Sequence, residues 1–414
     1  MKLYSEDKDY KIYNGSMLDM LEVVEKESID SIVCDPPYEL NFMCKGWDNS
    51  GIAFNTNTWK QCYEVLKQGG YLLAFGGSRT FHRIACAIED AGFEIRDTIM
   101  WLYGSGFPKS MNIAKGIESK EKLGNAGTRN KRKIEQSCNG KTYTLKQTNN
   151  GAMGEIIETT RKEYVPSTEL AKKWQGWGTC LKPAFEPIIV ARKPFKGSLV
   201  DNVINNGVGG LNIDECRIET NEKIKLSIRD TSSCSDGWNR PWMGDKNKDK
   251  KRQEIAIEKA NMLGRFPANV ILDSENGEDW RRYFYTPKAS KRDRDEGLDK
   301  FEENKVNDGR QTHIDNAFQR GETPRKNIHP TVKPTELMQY LVRLVSPKGA
   351  TILDCFMGSG STGKAVMYEN KDRQAGYKFI GIELTDEYLP IAKARIDYVC
   401  SLKEENKDKQ MSLF

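Results

Sequence analysis

The 414-residue chain has little histidine and lacks the closely paired cysteines of zinc sites. It contains three histidines, and its ten cysteines are scattered without a C-x-x-C pair. The first observation predicts that the protein has no metal site, and the second predicts reduced thiols. No apolar run approaches the roughly 18 residues of a membrane span, and the charged N-terminus lacks the apolar stretch of a signal peptide. We therefore expect a cytoplasmic protein without a membrane partner.

Charge is nearly balanced, with 64 basic against 59 acidic residues and a formal net charge of +5. A small basic excess permits a nucleic-acid partner without requiring one. The length is sufficient for a substantial core, in one large domain with insertions or in two to three domains.

Alternating strand and helix patterns occupy both ends of the chain and are separated by a long polar middle. The segment "NTWKQCYEVLKQGG" at 57–70, for example, predicts a helix that ends at its glycines. Parallel strands joined by helices form doubly wound sheets, so we expect one α/β, mostly parallel, Rossmann-like sheet built from both chain ends. The predicted segments are 1–110 and 326–400 as two parts of the core, 171–195 as a strand that returns to it, 111–170 as an inserted polar loop region, 196–325 as a second insertion, and 401–414 as a tail.

The stretch "ILDCFMGSGSTGKA" at 352–365 reads as a strand, a glycine loop and a helix. Glycines at this place let a ligand approach the backbone, and the helix that follows offers free N–H groups. Asp354 precedes the loop, and Glu383 in "GIEL" ends the next strand, where an acidic side chain suits the two hydroxyls of a ribose. The glycine spacing does not fit a Walker phosphate loop. The pattern therefore favours an adenosine-containing cofactor.

The stretch "SIVCDPPYEL" at 31–40 places an acidic residue, two prolines and an aromatic ring directly after an apolar strand. An exocyclic base amine is a poor nucleophile, because its lone pair is delocalised into the ring. Two acceptors on its hydrogens, the Asp35 carboxylate and the Pro36 carbonyl held rigid by Pro37, can pull it toward tetrahedral geometry. Tyr38 offers a face on which a base can stack outside the duplex. Alone, the same residues could merely cap a turn.

Together these motifs resemble those of S-adenosylmethionine-dependent DNA amino-methyltransferases. The matching segments are "DPPY" (35–38), "HPTVKP" (329–334), "FMGSGSTG" (356–363) and "GIEL" (381–384). Their order, catalytic motif first and cofactor loop last, is that of the β class. The resemblance implies methyl transfer to N6 of adenine in double-stranded DNA by base flipping, with target recognition in 196–325. An aspartate at the first motif position favours adenine over cytosine N4.

The resemblance also implies roles for single residues. Asp35, Pro36, Pro37 and Tyr38 are expected to act on the base. The expected cofactor contacts are Asp354, Phe356, Gly358, Ser359 and Gly360 at the methionine end, Glu383 at the ribose, and Lys333 and Thr335 beside the carboxylate. Where the family often has an acidic residue near the cofactor adenine, this chain has Ser16, with Asp19 nearby. How the adenine amine is held therefore stays open.

Further residues are candidates for contacts with DNA. Trp101, Phe107 and Trp177 lie in aromatic, glycine-rich segments and are candidate walls around a flipped base, although an ordinary sheet edge explains them equally well. Trp238 and Trp242 are expected to form a local hydrophobic cluster. The candidate phosphate contacts are Lys109, Lys182, Arg192, Lys288, Lys291 and Arg292.

Several alternatives remain open at this stage. RNA and protein-glutamine methyltransferases use related motifs but normally place the cofactor loop first. Cytosine C5 methylation needs a cysteine nucleophile, usually after proline, and the chain has no Pro-Cys pair. A DNA-binding subunit with an inactive catalytic fold is disfavoured by the intact motifs. A homodimer and a restriction-endonuclease partner are both compatible with the sequence.

One geometric prediction tests the whole interpretation. Cys34 and Cys355 each adjoin a motif, and we expect both to be core residues in adjacent parallel strands. The catalytic and cofactor loops should then open at the same C-terminal edge of the sheet, as ligand sites in open α/β sheets do.

Overall fold

The computed structural model describes residues 1–40, 46–103, 110–138, 140–148, 156–219, 254–255, 257–259, 261–272, 284–286, 288–305 and 324–402. Two compact units divide the chain. The first is drawn from Met1–Gly104, Phe185–Asn304 and Pro324–Phe414, and the second from Ser105–Ala184 and Lys305–Thr323.

The strands, in chain order, are β1 (Lys2–Glu6), β2 (Tyr10–Asn14), β3 (Ile29–Cys34), β4 (Leu66–Phe75), β5 (Glu94–Leu102), β6 (Thr142–Thr148), β7 (Ile156–Lys162), β8 (Phe185–Arg192), β9 (Val270–Leu272), β10 (Phe284–Tyr285), β11 (Asn304–Lys305), β12 (Pro324–Arg325), β13 (Thr351–Asp354) and β14 (Lys378–Glu383). The α-helices are α1 (Thr56–Val65), α2 (Phe81–Asp90), α3 (Ile113–Leu123), α4 (Thr128–Ser137), α5 (Glu169–Lys173), α6 (Leu199–Asn206), α7 (Lys291–Asp295), α8 (Thr335–Val345), α9 (Ser361–Arg373) and α10 (Leu389–Ser401).

The first unit contains a ten-stranded sheet in the order β1-β2-β14-β13-β3-β4-β8-β5-β9-β10. β1 and β8 run antiparallel to their neighbours, and the other strands are parallel to one another. Because β13 and β14 lie between β2 and β3, the sheet is built from both chain ends. This confirms the predicted α/β class and its mostly parallel topology.

Helices cover both faces of this sheet, since successive side chains of a strand point in opposite directions. Val33 and Leu73 pack on one face in a cluster with residues of α8, α9 and α10. Ile32 and Leu72, their immediate neighbours in the chain, pack on the other face in a cluster with residues of α1 and α2. Each strand thus contributes to two hydrophobic cores, as a doubly wound sheet requires.

Pairing between β3 and β13 confirms that the two predicted strands are adjacent and parallel, although β13 ends one residue before Cys355. Ile352 lies opposite Ser31 and Leu353 opposite Ile32 in parallel register. Cys34 is the last residue of β3, Cys355 follows β13 directly, and both are buried. The loops that start at Asp35 and Cys355 therefore leave the same edge of the sheet.

The segment 111–170, which we predicted to be an inserted polar loop region, contains regular secondary structure. The second unit contains α3, α4 and α5, and β6 pairs with β7 as an antiparallel ribbon. Buried Glu118 organises this unit, because its carboxylate accepts hydrogen bonds from the side chains of Lys122, Tyr164 and Ser167. The polar composition of this segment concealed these elements from sequence patterns.

The segment 196–325 also contributes more to the core than we predicted. β9 and β10 extend the main sheet beside β5, and Lys364 of α9 forms an ion pair with Asp293 of α7 at 2.9 Å. The predicted return strand of 171–195 is present as β8. A role of 196–325 in target recognition stays a prediction, and Trp238, Trp242 and most of the tail lie outside the described residues.

Within the described part of the chain, every helix is too short or too polar to traverse a bilayer.

Candidate active site

Three chain segments carry their motifs to one edge of the main sheet. "DPPY" follows β3, the glycine loop follows β13, and Glu383 is the last residue of β14. These strands are mutually parallel neighbours, so their C-terminal ends lie side by side. The opening at this edge is where open α/β sheets bind their ligands.

Asp35 presents two carboxylate oxygens in different environments. Oδ2 accepts a hydrogen bond from Lys333 Nζ at 2.5 Å, whereas Oδ1 is buried and has no donor among the described residues. Burial raises the pKa of Asp35, and the ammonium of Lys333 opposes that effect. An uncompensated buried acceptor is costly to a fold, so Oδ1 is suited to receive a donor from a bound molecule.

Lys333 lies against a second carboxylate as well. Its Nζ is 3.5 Å from Glu186 Oε2 and 4.8 Å from the ring centroid of Phe75. Although burial lowers the pKa of Lys333, Asp35 and Glu186 outweigh that effect and raise it, so the lysine is charged. We predicted Lys333 beside the cofactor carboxylate. The structure pairs it with the catalytic motif. A contact with the cofactor carboxylate stays a prediction.

Tyr38 completes this group of side chains. Its hydroxyl donates a hydrogen bond to Glu186 Oε2 at 3.1 Å, and its ring centroid is 5.3 Å from Lys333 Nζ. Burial raises the pKa of Tyr38, so its hydroxyl stays protonated. Glu186 was missing from the predicted site. It lies near the start of β8, and only the antiparallel direction of that strand brings its beginning to the edge where the parallel strands end.

Asp354 shapes the beginning of the cofactor loop. Its Oδ1 accepts the backbone N–H of Phe356 at 3.0 Å, and its Oδ2 accepts the hydroxyl of Thr362 at 2.5 Å. The side chain is buried, and burial raises its pKa well above the ordinary value. The predicted cofactor contact of Asp354 stays a prediction, while its contacts inside the loop are part of the fold.

Glu383 connects the ends of two strands. Its Oε2 accepts the backbone N–H of Gly358, and its Oε1 that of Thr385, both at 2.7 Å. Burial raises the pKa of this carboxyl. Each carboxylate oxygen has a second lone pair, so a ribose hydroxyl can still donate to it.

Gly358 and Gly360 occupy left-handed backbone conformations, with φ of +53° and +74°. A Cβ on Gly358 would lie 2.8 Å from His329 Nε2, and one on Gly360 would lie 3.0 Å from Ala392. Both positions therefore need glycine for backbone angle and for space. At these two positions the loop presents its main chain without side chains, as the approach of a ligand to its N–H groups requires.

Arg395 of α10 donates hydrogen bonds to this loop and was also missing from the predicted site. It is fully buried, and its guanidinium donates to the main-chain oxygen of Ser359 at 2.7 Å and to the hydroxyl of Ser361 at 3.2 Å. Burial lowers the pKa of Arg395 to about 10, which leaves it charged at neutral pH. No motif marks this residue, because it lies in an ordinary helical pattern.

Thr335 has a partner other than the one predicted. Its hydroxyl and N–H donate to the carboxylate of Asp293, at 2.5 and 3.1 Å, where α8 begins. Asp293 also pairs with Lys364, so α7 is joined by an ion pair to α9, the helix that follows the glycine loop. A contact of Thr335 with the cofactor carboxylate stays a prediction.

The predicted DNA contacts lie in several different parts of the structure. Lys288 lies 3.5 Å from the ring centroid of Tyr103, which follows the end of β5 at the edge that carries the site. Lys291 and Arg292 are exposed on α7. Lys182 and Trp177 are exposed in the second unit, and Lys109 and Phe107 lie outside the described residues.

Two of these predictions are contradicted. Arg192 ends the antiparallel β8, opposite the first residue of β5, and its guanidinium pairs with Glu94 at 2.8 Å. It is therefore at the edge away from the site and has a carboxylate in place of a phosphate. Trp101 is 2% exposed, and its indole donates to the carbonyl of Thr286 at 3.2 Å. It is a core residue, because its side chain points into the sheet packing.

Ser16 caps a short 3-10 helix, Met17–Glu22, by accepting the N–H of Leu18. The neighbouring Gly15 N–H donates to the carbonyl of Glu383 at 3.0 Å, which places this turn beside the ribose candidate. Asp19 is exposed. Among the described contacts, none joins the Asp19 carboxylate to the glycine loop or to Glu383. No described group of three or more His, Cys, Asp or Glu side chains is arranged to hold a metal ion.

The fold and this site are those of an α/β enzyme that acts with an adenosine-containing cofactor. The chain belongs to the N6/N4 DNA methylase family, whose model matches residues 29–394. It is 23% identical to Type II methyltransferase M.HindIII of Haemophilus influenzae, over 96% of this chain and 99% of that protein. It is 38% identical to Type II methyltransferase M.BglI of Bacillus subtilis, but over only 21% of this chain and 24% of that protein.

Among solved structures, the cytosine-N4-specific PvuII DNA methyltransferase is similar at a TM-score of 0.44 and 14% identity, covering 99% of this chain and 92% of that one. Family membership confirms the predicted class, a DNA methyltransferase, and with it S-adenosylmethionine as the cofactor. The bare backbone at Gly358 and Gly360 fits the approach of such a cofactor.

Proposed function

We propose that this protein methylates the exocyclic N6 amine of adenine in double-stranded DNA. The observation that carries the proposal is the asymmetry of Asp35. One oxygen is held by Lys333, and the other is buried without a donor among the described residues. An amine N–H is the kind of donor that such an oxygen lacks.

The chemistry follows from these acceptors. S-adenosylmethionine supplies an electrophilic methyl group on a sulfonium. Asp35 Oδ1 and the carbonyl of Pro36 accept the two N–H bonds of the amine, which restores lone-pair density to its nitrogen. The alkylated nitrogen must then lose a proton, and the Asp35 carboxylate is the proton acceptor that the motif offers. No covalent bond between enzyme and base is needed.

Base capture falls to Tyr38. Enzymes that modify a base inside a duplex take it out of the stack and hold it against apolar or aromatic side chains. The hydrogen bond to Glu186 fixes the Tyr38 ring in one orientation, so its face is prepared before the base arrives.

We assign the cofactor to the backbone of residues 356–360 and to the carboxylate of Glu383. Arg395 keeps Ser359 in position, and Glu383 keeps Gly358 in position. Lys288, at the same sheet edge as Asp35, together with Lys291 and Arg292, is proposed to contact DNA phosphates.

The choice of adenine depends on the resemblance at the first position of the catalytic motif, where aspartate accompanies adenine more often than cytosine. The amine chemistry is the same for cytosine N4, which is the alternative. The test is to incubate the purified protein with isotopically labelled S-adenosylmethionine and unmethylated duplex DNA, and to identify the labelled nucleoside. We expect N6-methyladenine. Labelled N4-methylcytosine would show that the protein methylates cytosine and not adenine.

Asp35→Ala serves as the control in this experiment. It should abolish transfer while retaining cofactor binding, because Asp35 contacts the base and not the donor. A wild-type protein that binds S-adenosylmethionine but labels neither base would contradict the proposal.

A further inference from the structure

We infer that Lys333 is a positioning residue for Asp35, secured by Glu186, and not a ligand of the cofactor carboxylate. This inference rests on the proposed function, since it concerns how Asp35 is prepared to accept the base amine. Neither Lys333 nor Glu186 belongs to the "DPPY" motif, and each comes from a different part of the chain.

The geometry distinguishes the two oxygens of Asp35. A carboxylate on a short side chain can rotate, and either oxygen could then face the base. Lys333 removes that freedom by holding Oδ2 at 2.5 Å. Oδ1, which has no described donor, is then the oxygen that is left to accept the base amine.

Lys333 itself is fixed in the same way. Its ammonium has Glu186 Oε2 at 3.5 Å on another side, and its side chain is 8% exposed. Glu186 in turn accepts the hydroxyl of Tyr38. The two groups that would meet the base, the Asp35 carboxylate and the Tyr38 ring, are therefore linked by two hydrogen bonds and the Lys333–Glu186 ion pair.

Electrostatics gives this unit a second role. Burial favours the protonated form of Asp35, in which the carboxyl is a weaker acceptor, and Lys333 counteracts this. Glu186 acts in the opposite direction to Lys333, and Asp354 is the other acidic neighbour. Tyr38 stays protonated, and burial lowers the pKa of His329 beside Lys333 to about 3, so neither changes charge near neutral pH.

This arrangement predicts pH effects of opposite sign for two substitutions. If the acceptor must be ionised, the rate falls as the pH is lowered through its pKa. We call this falling part of the pH–rate profile the acid limb. Lys333→Met should move that limb to higher pH by at least about one unit, since a contacting opposite charge alters a carboxyl pKa by roughly one to three units. Glu186→Gln should move it to lower pH, because a negative neighbour is removed.

The measurements are single-turnover methyl transfer across pH and equilibrium binding of S-adenosylmethionine. For Lys333→Met we expect the rate on the acid limb, compared at the same pH, to fall about tenfold or more, as a shift of one pH unit implies, with cofactor affinity nearly unchanged. Lys333→Arg should keep the acid limb near its wild-type position, because the charge is retained, while the rate falls through altered geometry. This variant also covers the case in which Lys333→Met does not fold.

Lys67→Met is the matched control. Lys67 and Asp30 also form an ion pair at 2.6 Å, but they lie at the N-terminal ends of β4 and β3, away from the site. Its pH profile and cofactor affinity should match those of the wild type.

The inference is overturned if Lys333→Met weakens cofactor binding tenfold or more while the acid limb stays in place, which is the result expected of a cofactor ligand. It is also overturned if both Lys333→Met and Glu186→Gln shift the limb in the same direction. Failure of the proposed function would look different, because the wild-type protein would then methylate no adenine at any pH.

Discussion

Arg395 and Ser359 are joined by two hydrogen bonds in the interior of the protein, from one guanidinium nitrogen to the serine's main-chain oxygen at 2.7 Å and to its hydroxyl at 3.1 Å. The arginine lies on α10, near the end of the chain, and the serine is in the centre of the glycine loop. The conformation of a loop built from bare backbone is thus determined by a buried charge on a neighbouring helix.

Replacing Arg395 by methionine should therefore damage cofactor binding. The substitution keeps much of the buried volume but leaves Ser359 and Ser361 without their donor, and each buried acceptor left unpaired costs about 1–3 kcal/mol. We expect S-adenosylmethionine affinity to fall about tenfold, equivalent to about 1.4 kcal/mol, as measured by isothermal titration calorimetry.

Arg343→Met is the control for that prediction. Arg343 of α8 pairs with buried Glu369 at 2.5 Å. Glu369 lies on α9, about two turns beyond the glycine loop. Both variants should unfold more easily, but only Arg395→Met should lose cofactor affinity. Equal reductions of affinity in the two variants would show that general destabilisation, and not the loop, is responsible.

Gly358→Ala should prevent productive cofactor binding. A non-glycine residue in the left-handed region costs roughly 1–2 kcal/mol, and the added Cβ would also lie 2.8 Å from His329 Nε2. Gly349→Ala isolates the first effect, because Gly349 has φ +77° with no atom within 4 Å of the added carbon. Thermal melts should show a larger decrease in stability for Gly358→Ala than for Gly349→Ala, and only Gly358→Ala should fail a cofactor-binding assay. Normal cofactor binding by Gly358→Ala would contradict the proposed cofactor site.

Two substitutions of Tyr38 should differ in severity. Tyr38→Phe keeps the ring and removes the hydroxyl that donates a hydrogen bond to Glu186. Tyr38→Ala removes the stacking surface, which is worth about 1–3 kcal/mol per base in nucleic-acid complexes. With 2-aminopurine at the target position, base extrusion by Tyr38→Phe should remain clear and that by Tyr38→Ala should be weak. Equal extrusion by both variants would argue that the ring is not the stacking surface.

Salt dependence tests the proposed phosphate contacts. Replacing Lys288, Lys291 and Arg292 by alanine should weaken binding to DNA of any sequence, since phosphates carry no sequence information. Removing one lysine or arginine from a phosphate should reduce the slope of log affinity against log salt by about 0.9. Fluorescence anisotropy at several salt concentrations measures the slope.

A control variant with the same change of net charge replaces Lys26, Lys348 and Lys378. All three are exposed and lie near the N-terminal ends of β3, β13 and β14, at the edge opposite to the site. Its slope should stay close to the wild-type value. A slope that changes equally in the two variants would mean that the effect is one of overall charge.

The sequence alone was sufficient for the features that are local. Glycine loops, an acidic residue at a strand end and a rigid "DPPY" segment are recognisable because their function requires particular residue types at short spacing. Their common edge was predictable too, because parallel strands present their C-terminal ends together, and the pairing around Cys34 and Cys355 confirms it.

Tertiary structure decided what depends on distant partners. The helix predicted at 57–70 ends at Val65, because Leu66 is drawn into β4 opposite Ile29. Lys333 faces Asp35, 298 positions away in the chain, and the antiparallel course of β8 brings Glu186 to the site and carries Arg192 away from it. An ion pair depends on which side chains meet after folding, and no local pattern of residues encodes that meeting.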